Sequence, residues 1–171
     1  LNTASSSPFR AEMKILDRLP YHDRPTALSF GPRTIDVRSY QIIVWLSLRH
    51  LTFPAIPDTG HSHNLTISTR QLAEWAGVDK LEPIGEIEVN GRRVIQYRAS
   101  LRLHRNQPRT RQPRPESVPL NVDQGITVVP DETAGAPRLP LLGIRSISRS
   151  GLKLIIDGQH REVTLRSPGW F

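Results

Sequence analysis

The sequence contains no cysteine. That excludes disulfide bridges, thiolate nucleophiles and cysteine-ligated zinc, and leaves the compartment open. It also lacks an apolar run of membrane length: the longest, "IIVWLSL" (Ile42 to Leu48), suits a strand, whereas a span needs about 20 residues. No basic stretch followed by an apolar one stands at the start, so a secretory leader is not indicated and a cytoplasmic location is expected. Acidic residues are missing from one region in particular. Between Arg92 and Arg114 there are eight arginines and no Asp or Glu; these carry +8 of a net +7, leaving the rest of the chain at −1. The basicity is therefore local. Such a segment suits a solvated hairpin face followed by a loose loop, a phosphate-binding surface, or an exposed linker that recruits acidic substrate or is itself cut. "NQPRTRQPRP" has no aromatic ring to stack on a base and no helix to enter a groove, so nucleic acid is disfavoured and the solvated face is expected.

What is present is a chain of 171 residues, 37% hydrophobic, with 15 prolines, enough for one core with an extension. Residues 1–38 are expected to form a partly extended N-terminal arm, with "AEMKILDRL" suited to a short helix; the prolines at 20, 25 and 32 discourage anything long and regular. Residues 39–171 read as the domain proper. "SYQIIVWLSLRHLTFPAI" is rich in β-formers. "STRQLAEWAGV" has a capping Ser68 or Thr69, an apolar stripe and a stopping Gly77, and predicts a helix. "IGEIEVNGRRVIQYRASLRL" predicts a hairpin over about 84–103 that turns at Asn90-Gly91. A Pro/Arg loop over about 105–118 precedes a short strand, "GITVVP". The end, "LPLLGIRSISRSGLKLIIDGQHREVTL", reads as strand, one or two helical turns over Arg145 to Ser150, and a hairpin turning at Asp157-Gly158.

One stretch is more specific. In "FPAIPDTGHSHNLTIS", Asp58-Thr59-Gly60 interrupts two apolar segments. An acid among apolar neighbours is costly unless it is hydrogen-bonded, neutralised or used. Alone, the tripeptide is ordinary turn chemistry; its setting between strands, ahead of a hairpin and of Leu141-Leu142-Gly143, is not.

That order resembles the retropepsin-like aspartic proteases, the retroviral proteases and their bacterial single-domain relatives. The likeness covers roughly Ser39 to Leu165 and is carried by "AIPDTG", "EIEVNGRRVIQY" and "LPLLGIRSISRSGLKLIID". It implies an all-β, closed barrel-like fold with one or two short helices, and peptide-bond hydrolysis without a cofactor or metal. It implies Asp58, Thr59 and Gly60 as the catalytic loop. With a single Asp-Thr-Gly per chain, a homodimer must bring two copies of Asp58 together. Thr59 would brace the loop across the dimer axis and Gly60 would allow close backbone approach. The hairpin tip (Val89, Asn90, Gly91) would be a flap over an extended peptide substrate, with Leu142, Gly143 and His61 also placed against substrate. The sequence departs from the family at Pro57, which removes an amide donor before the Asp, at His61, where a small residue is usual, at the flap tip, which has no Gly beyond Gly91, and at Ser62, where no acid stands to pair with Arg145. A peptide- or partner-binding module on the same fold, without turnover, is the competing expectation.

His61 and His63 would share a strand face, but neither a third nor a fourth ligand is near in sequence, so zinc is not expected and His61 is read as tuning the site's entrance. Asn64-Leu65-Thr66 matches a glycosylation acceptor by chance. The arm could complete the dimer interface or occupy the cleft before processing.

Overall fold

A computed structural model describes residues 14–89, 91–105, 117–132 and 135–167. In chain order the elements are β1 (Lys14–Pro20), β2 (Thr26–Phe30), β3 (Arg33–Val37), β4 (Val44–Ser47), β5 (Thr52–Asp58), β6 (Leu65–Ser68) and α1 (Thr69–Glu74). After these come β7 (Glu82–Val89), β8 (Arg92–Arg98), β9 (Leu101–His104), β10 (Ser117–Leu120), β11 (Ile126–Val129), β12 (Leu141–Gly143), α2 (Ile144–Arg149), β13 (Lys153–Asp157) and β14 (Glu162–Ser167). The fold is mostly β with two short helices, as expected. Nine strands form one sheet in the order β10-β9-β4-β5-β12-β6-β11-β8-β7; β1-β14-β13 form a second and β2-β3 a third. The expected closure into a barrel is not seen: among the described residues the large sheet ends in two edge strands, β10 and β7.

The core lies where the central strands are buried on both faces. Leu46, Phe53, Ala55, Leu65, Ile67, Ile126 and Val163 have no exposed surface, and each large apolar side chain so buried contributes about 1.5–3 kcal/mol relative to exposure. The β2–β3 hairpin docks through Phe30, whose ring meets Trp45 and Trp75 edge-on at 6.3 and 5.1 Å. An ion pair between Arg33 and Glu74 at 3.1 Å adds to the contact at its rim.

Several local expectations hold. Six residues are too few for a helix to stand alone, and α1 is held at both levels. Ser68 and Gln71 form a reciprocal capping box, and the Gln71 amide donates to the carbonyls of Pro137 and Arg138, each at 2.9 Å. Gly91 has φ of +75° at the β7–β8 turn, a backbone region glycine enters freely.

Other expectations are corrected. Lys14 to Leu19, read as part of a helix, are strand: β1 pairs antiparallel with β14, from Lys14 opposite Ser167 to Pro20 opposite Glu162, and partner hydrogen bonds override a modest helical propensity. The hairpin ends at Arg98, not near 103. After Ala99 and Ser100 the chain leaves it, and β9 pairs with β4 and β10 instead. Most of the Pro/Arg loop, including 106–116, lies outside the described residues, but Ser117 and Val118 belong to β10. Asn90 also lies outside them.

Candidate functional site

Asp58 is the last residue of β5, and the path of the chain beyond it is set by an intruding strand. β5 and β6 do not pair with each other. β12 lies between them, parallel to β5 with Gly143 opposite Asp58, and antiparallel to β6 with Leu142 opposite Leu65. The loop from Thr59 to Asn64 must therefore bridge two strands held a full strand apart. It is pinned to β12 and α2 by backbone bonds: Gly143 N–H donates to Asn64 O at 2.9 Å and Ile144 N–H to His61 O at 3.0 Å. A side chain at Gly143 has no room. An added Cβ would lie 1.7 Å from the His63 carbonyl oxygen and 2.7 Å from that of His61. Pro57, which has no N–H, sits opposite Leu142, and the neighbouring Ile56 N–H donates instead to Pro140 O at 2.9 Å.

Within the loop, Gly60 N–H donates to Asp58 Oδ1 at 2.8 Å and His61 N–H to Asp58 O at 3.2 Å. The carboxylate is thus oriented by its own turn through a charge-assisted bond. Asp58 is half-buried; Thr59 and Gly60 are exposed at the turn's tip. His61 Nε2 and Thr66 Oγ1 share a hydrogen bond of 2.7 Å. The His61 ring meets that of His63 edge to face, with centroids 5.1 Å apart. Burial holds the His61 imidazole below its ordinary range, repulsion from His63 adds to this, and attraction to Asp58 opposes it. His63 is lowered by burial and by the Arg145 guanidinium.

Neither a scan against protein-family models nor searches of curated proteins and of solved structures finds a match to this chain.

The structure brings Asp58, Thr59, Gly60, His61 and Gly143 together. Leu142 reaches the site through its backbone only, since its side chain is 1% exposed and lies in the core. Val89 and Gly91 flank the far end of the β7–β8 ribbon. That ribbon joins the sheet through Tyr97 opposite Ile126 and Gln96 opposite Thr127, so its turn half projects beyond the ladder. β12, β6 and β11 lie between β5 and the ribbon. Among the described residues, no three His, Asp or Glu side chains gather closely enough to hold a metal ion.

Two structural roles escaped the sequence reading. Asn64 is buried, and its Nδ2 donates to Gly125 O at 2.9 Å, tying the loop to the start of β11; burial also removes it as a glycosylation acceptor in the folded chain. Asp123, in the β10–β11 turn, receives Arg145 at 3.2 Å and Arg149 at 3.5 Å. Arg145 thus finds its acid on another loop, not at Ser62. An acid in the turn "NVDQG" was the available signal for Asp123, though nothing in it names the partner.

Proposed function

We propose that this chain is an aspartic endopeptidase of the retropepsin-like type, working as a homodimer in which two copies of Asp58 act on one water. The observation that carries the reading is the split loop: Leu141-Leu142-Gly143 wedged between the strands on either side of Asp58-Thr59-Gly60, with Gly143 packed where no side chain fits. A surface turn would need no such strand. The arrangement fixes an acidic side chain against a rigid sheet while leaving the turn's tip exposed, as an approaching second copy requires.

Two carboxyls within about 3 Å cannot both ionise readily, so they hold one proton between them. The ionised carboxyl takes a proton from water as the water oxygen attacks the scissile carbonyl carbon. The protonated one donates a hydrogen bond to the carbonyl oxygen, where negative charge develops. A proton then passes to the amide nitrogen as the C–N bond breaks. The Gly60 N–H keeps each Asp58 carboxyl oriented, and exposed Thr59 is the side chain placed to reach the other copy. The projecting ribbon serves as the flap, offering backbone groups to an extended substrate and excluding water.

The test is cleavage of a diverse peptide library between about pH 3 and 7, wild type beside Asp58→Asn. Cleavage by wild type alone supports the reading; equal cleavage by both removes Asp58 from the chemistry. A second reading, a peptide-binding module without turnover, is favoured by the single Asp-Thr-Gly in the sequence, because one copy supplies only half of the carboxyl pair. It predicts peptide binding that survives in Asp58→Asn, with silence from both proteins in the cleavage assay.

A further inference from the structure

Beside the Asp58 turn lies a group of basic side chains that the hydrolysis above does not use. The edge-to-face rings of His61 and His63 are two members. His61 spends one nitrogen on Thr66; among the described residues the His63 ring has no hydrogen-bond partner. The third member is Arg145, in the first turn of α2, close enough to depress protonation of His63. Its side chain is 26% exposed, and its guanidinium shares the single Asp123 carboxylate with Arg149.

The charges around the rings and around Arg145 can be counted by element. β5 contributes Asp58, the β10–β11 turn contributes Asp123, α2 contributes Arg145 and Arg149, and β6 contributes only the neutral Thr66. With both imidazoles neutral the two arginines balance the two carboxylates. Protonating both adds two positive charges, and Asp58 attracts only the one on His61. Repulsion of this kind is relieved by an anion.

We propose that His61, His63 and Arg145 form a carboxylate-binding subsite that selects an acidic side chain in the substrate near the scissile bond. The proposal rests on the endopeptidase reading and deepens it by naming a substrate class. It also carries a pH window. A Glu side chain is ionised above its ordinary value of about 4.3, and the two rings are charged only below their ordinary value of about 6.5, lowered here by burial and mutual repulsion. Preference for Glu over Gln is therefore largest between the titration of the Glu and that of the rings, fades as the rings lose their protons, and fades again as the Glu itself protonates. The substrate is chosen by charge under the acidic conditions in which a shared-proton carboxyl pair works.

The experiment compares peptides that differ only by Glu or Gln at each position close to a cut site, across pH. The expected result is a kcat/KM ratio of about three- to tenfold in favour of Glu at one position in mildly acidic solution, approaching one at neutral pH and also in His63→Gln. A ratio near one throughout, or one that persists unchanged in His63→Gln, overturns the subsite. A second measurement needs no cleavage: the ring protons of both histidines are titrated by NMR with N-acetylglutamate amide or N-acetylglutamine amide in excess. The subsite predicts that both titrations move to higher pH with the Glu compound alone, and identical titrations overturn it. If wild type cleaves nothing while the Glu-specific movement is present, the endopeptidase reading fails and the carboxylate site stands.

Discussion

Replacing Gly143 with Ala tests the central claim about the loop, because only one methyl group is added. The backbone there is extended, with φ of −78°, so alanine suffers no dihedral penalty and the whole effect is steric. The new Cβ would sit 1.7 Å from the His63 carbonyl oxygen, about half a normal contact distance. That oxygen belongs to backbone, not to a side chain that can swing away. Either β12 retreats or the loop does, and both routes break Gly143 N–H to Asn64 O and Ile144 N–H to His61 O. Overpacking costs about 1–3 kcal/mol and each lost hydrogen bond about 1 kcal/mol, so the total is about 3–5 kcal/mol. Against a whole-domain stability of about 5–15 kcal/mol, Tm should fall by roughly 6–20 °C in a chain of this size. The control is Gly85→Ala on β7, where nothing lies within 4 Å of the added Cβ and the change should stay within about 0.5 kcal/mol. Thermal unfolding of both variants followed by circular dichroism reads the difference. A Gly143→Ala variant that loses less than about 1 kcal/mol would mean that β12 does not press against the loop, and the split-loop reasoning would fall with it.

Other perturbations probe separate parts of the molecule. His61, His63 and His104 are all held below their ordinary range, foremost by burial, so the fold prefers their neutral forms. Their contribution to stability is complete above the unfolded value of about 6.5 and is lost as pH falls through the folded values; Tm should drop from pH 7.5 to 5, and less steeply in His104→Gln. Equal slopes in the two proteins would contradict this for His104, whose Nε2 lies 2.7 Å from Ser47 Oγ. Asp123→Asn should release Arg145 and Arg149 and lower Tm at low salt, with the gap to wild type closing at high salt as the lost attraction is screened; a salt-independent gap would point to packing instead. Asn64→Ala leaves the buried Gly125 carbonyl without its side-chain donor, which should cost about 1–3 kcal/mol in denaturant unfolding.

The local grammar of the chain was legible, and its long-range pairing was not. A capping Ser68 or Thr69 and a stopping Gly77 announce α1 because both signals are read over a few residues. Asn90-Gly91 announces the β7–β8 turn for the same local reason. The interruption at Asp58 was visible as a polar break between apolar segments, so the loop could be found. The strand that makes the loop distinctive could not be placed from the residues alone, since β12 lies some eighty positions downstream and no periodicity states which neighbours it chooses. Leu101 and Leu103 continue a period of two, which extends the expected hairpin to about 103; the change of partner occurs in Ala99 and Ser100, which carry no strong turn signal. β10 was hidden by Pro119, whose missing N–H is tolerated because the strand lies at a sheet edge. Open or closed, a sheet presents the same alternation in each strand, so the two edges seen among the described residues could not be foreseen either.

The pairing of β1 with β14 has a consequence for synthesis. Lys14 meets Ser167, so the first described strand has no partner until roughly 150 residues more have been made. At about 5–20 residues per second, that is roughly 8–30 s during which β1 emerges from the ribosome with its hydrogen-bonding edges open. The β13–β14 hairpin can form as soon as it leaves the exit tunnel, and the early strand then docks on it to complete that sheet. The second sheet thus joins its first-made strand to its last-made hairpin, and a nascent chain stalled before Glu162 would hold every strand of the large sheet while β1 lacked β14.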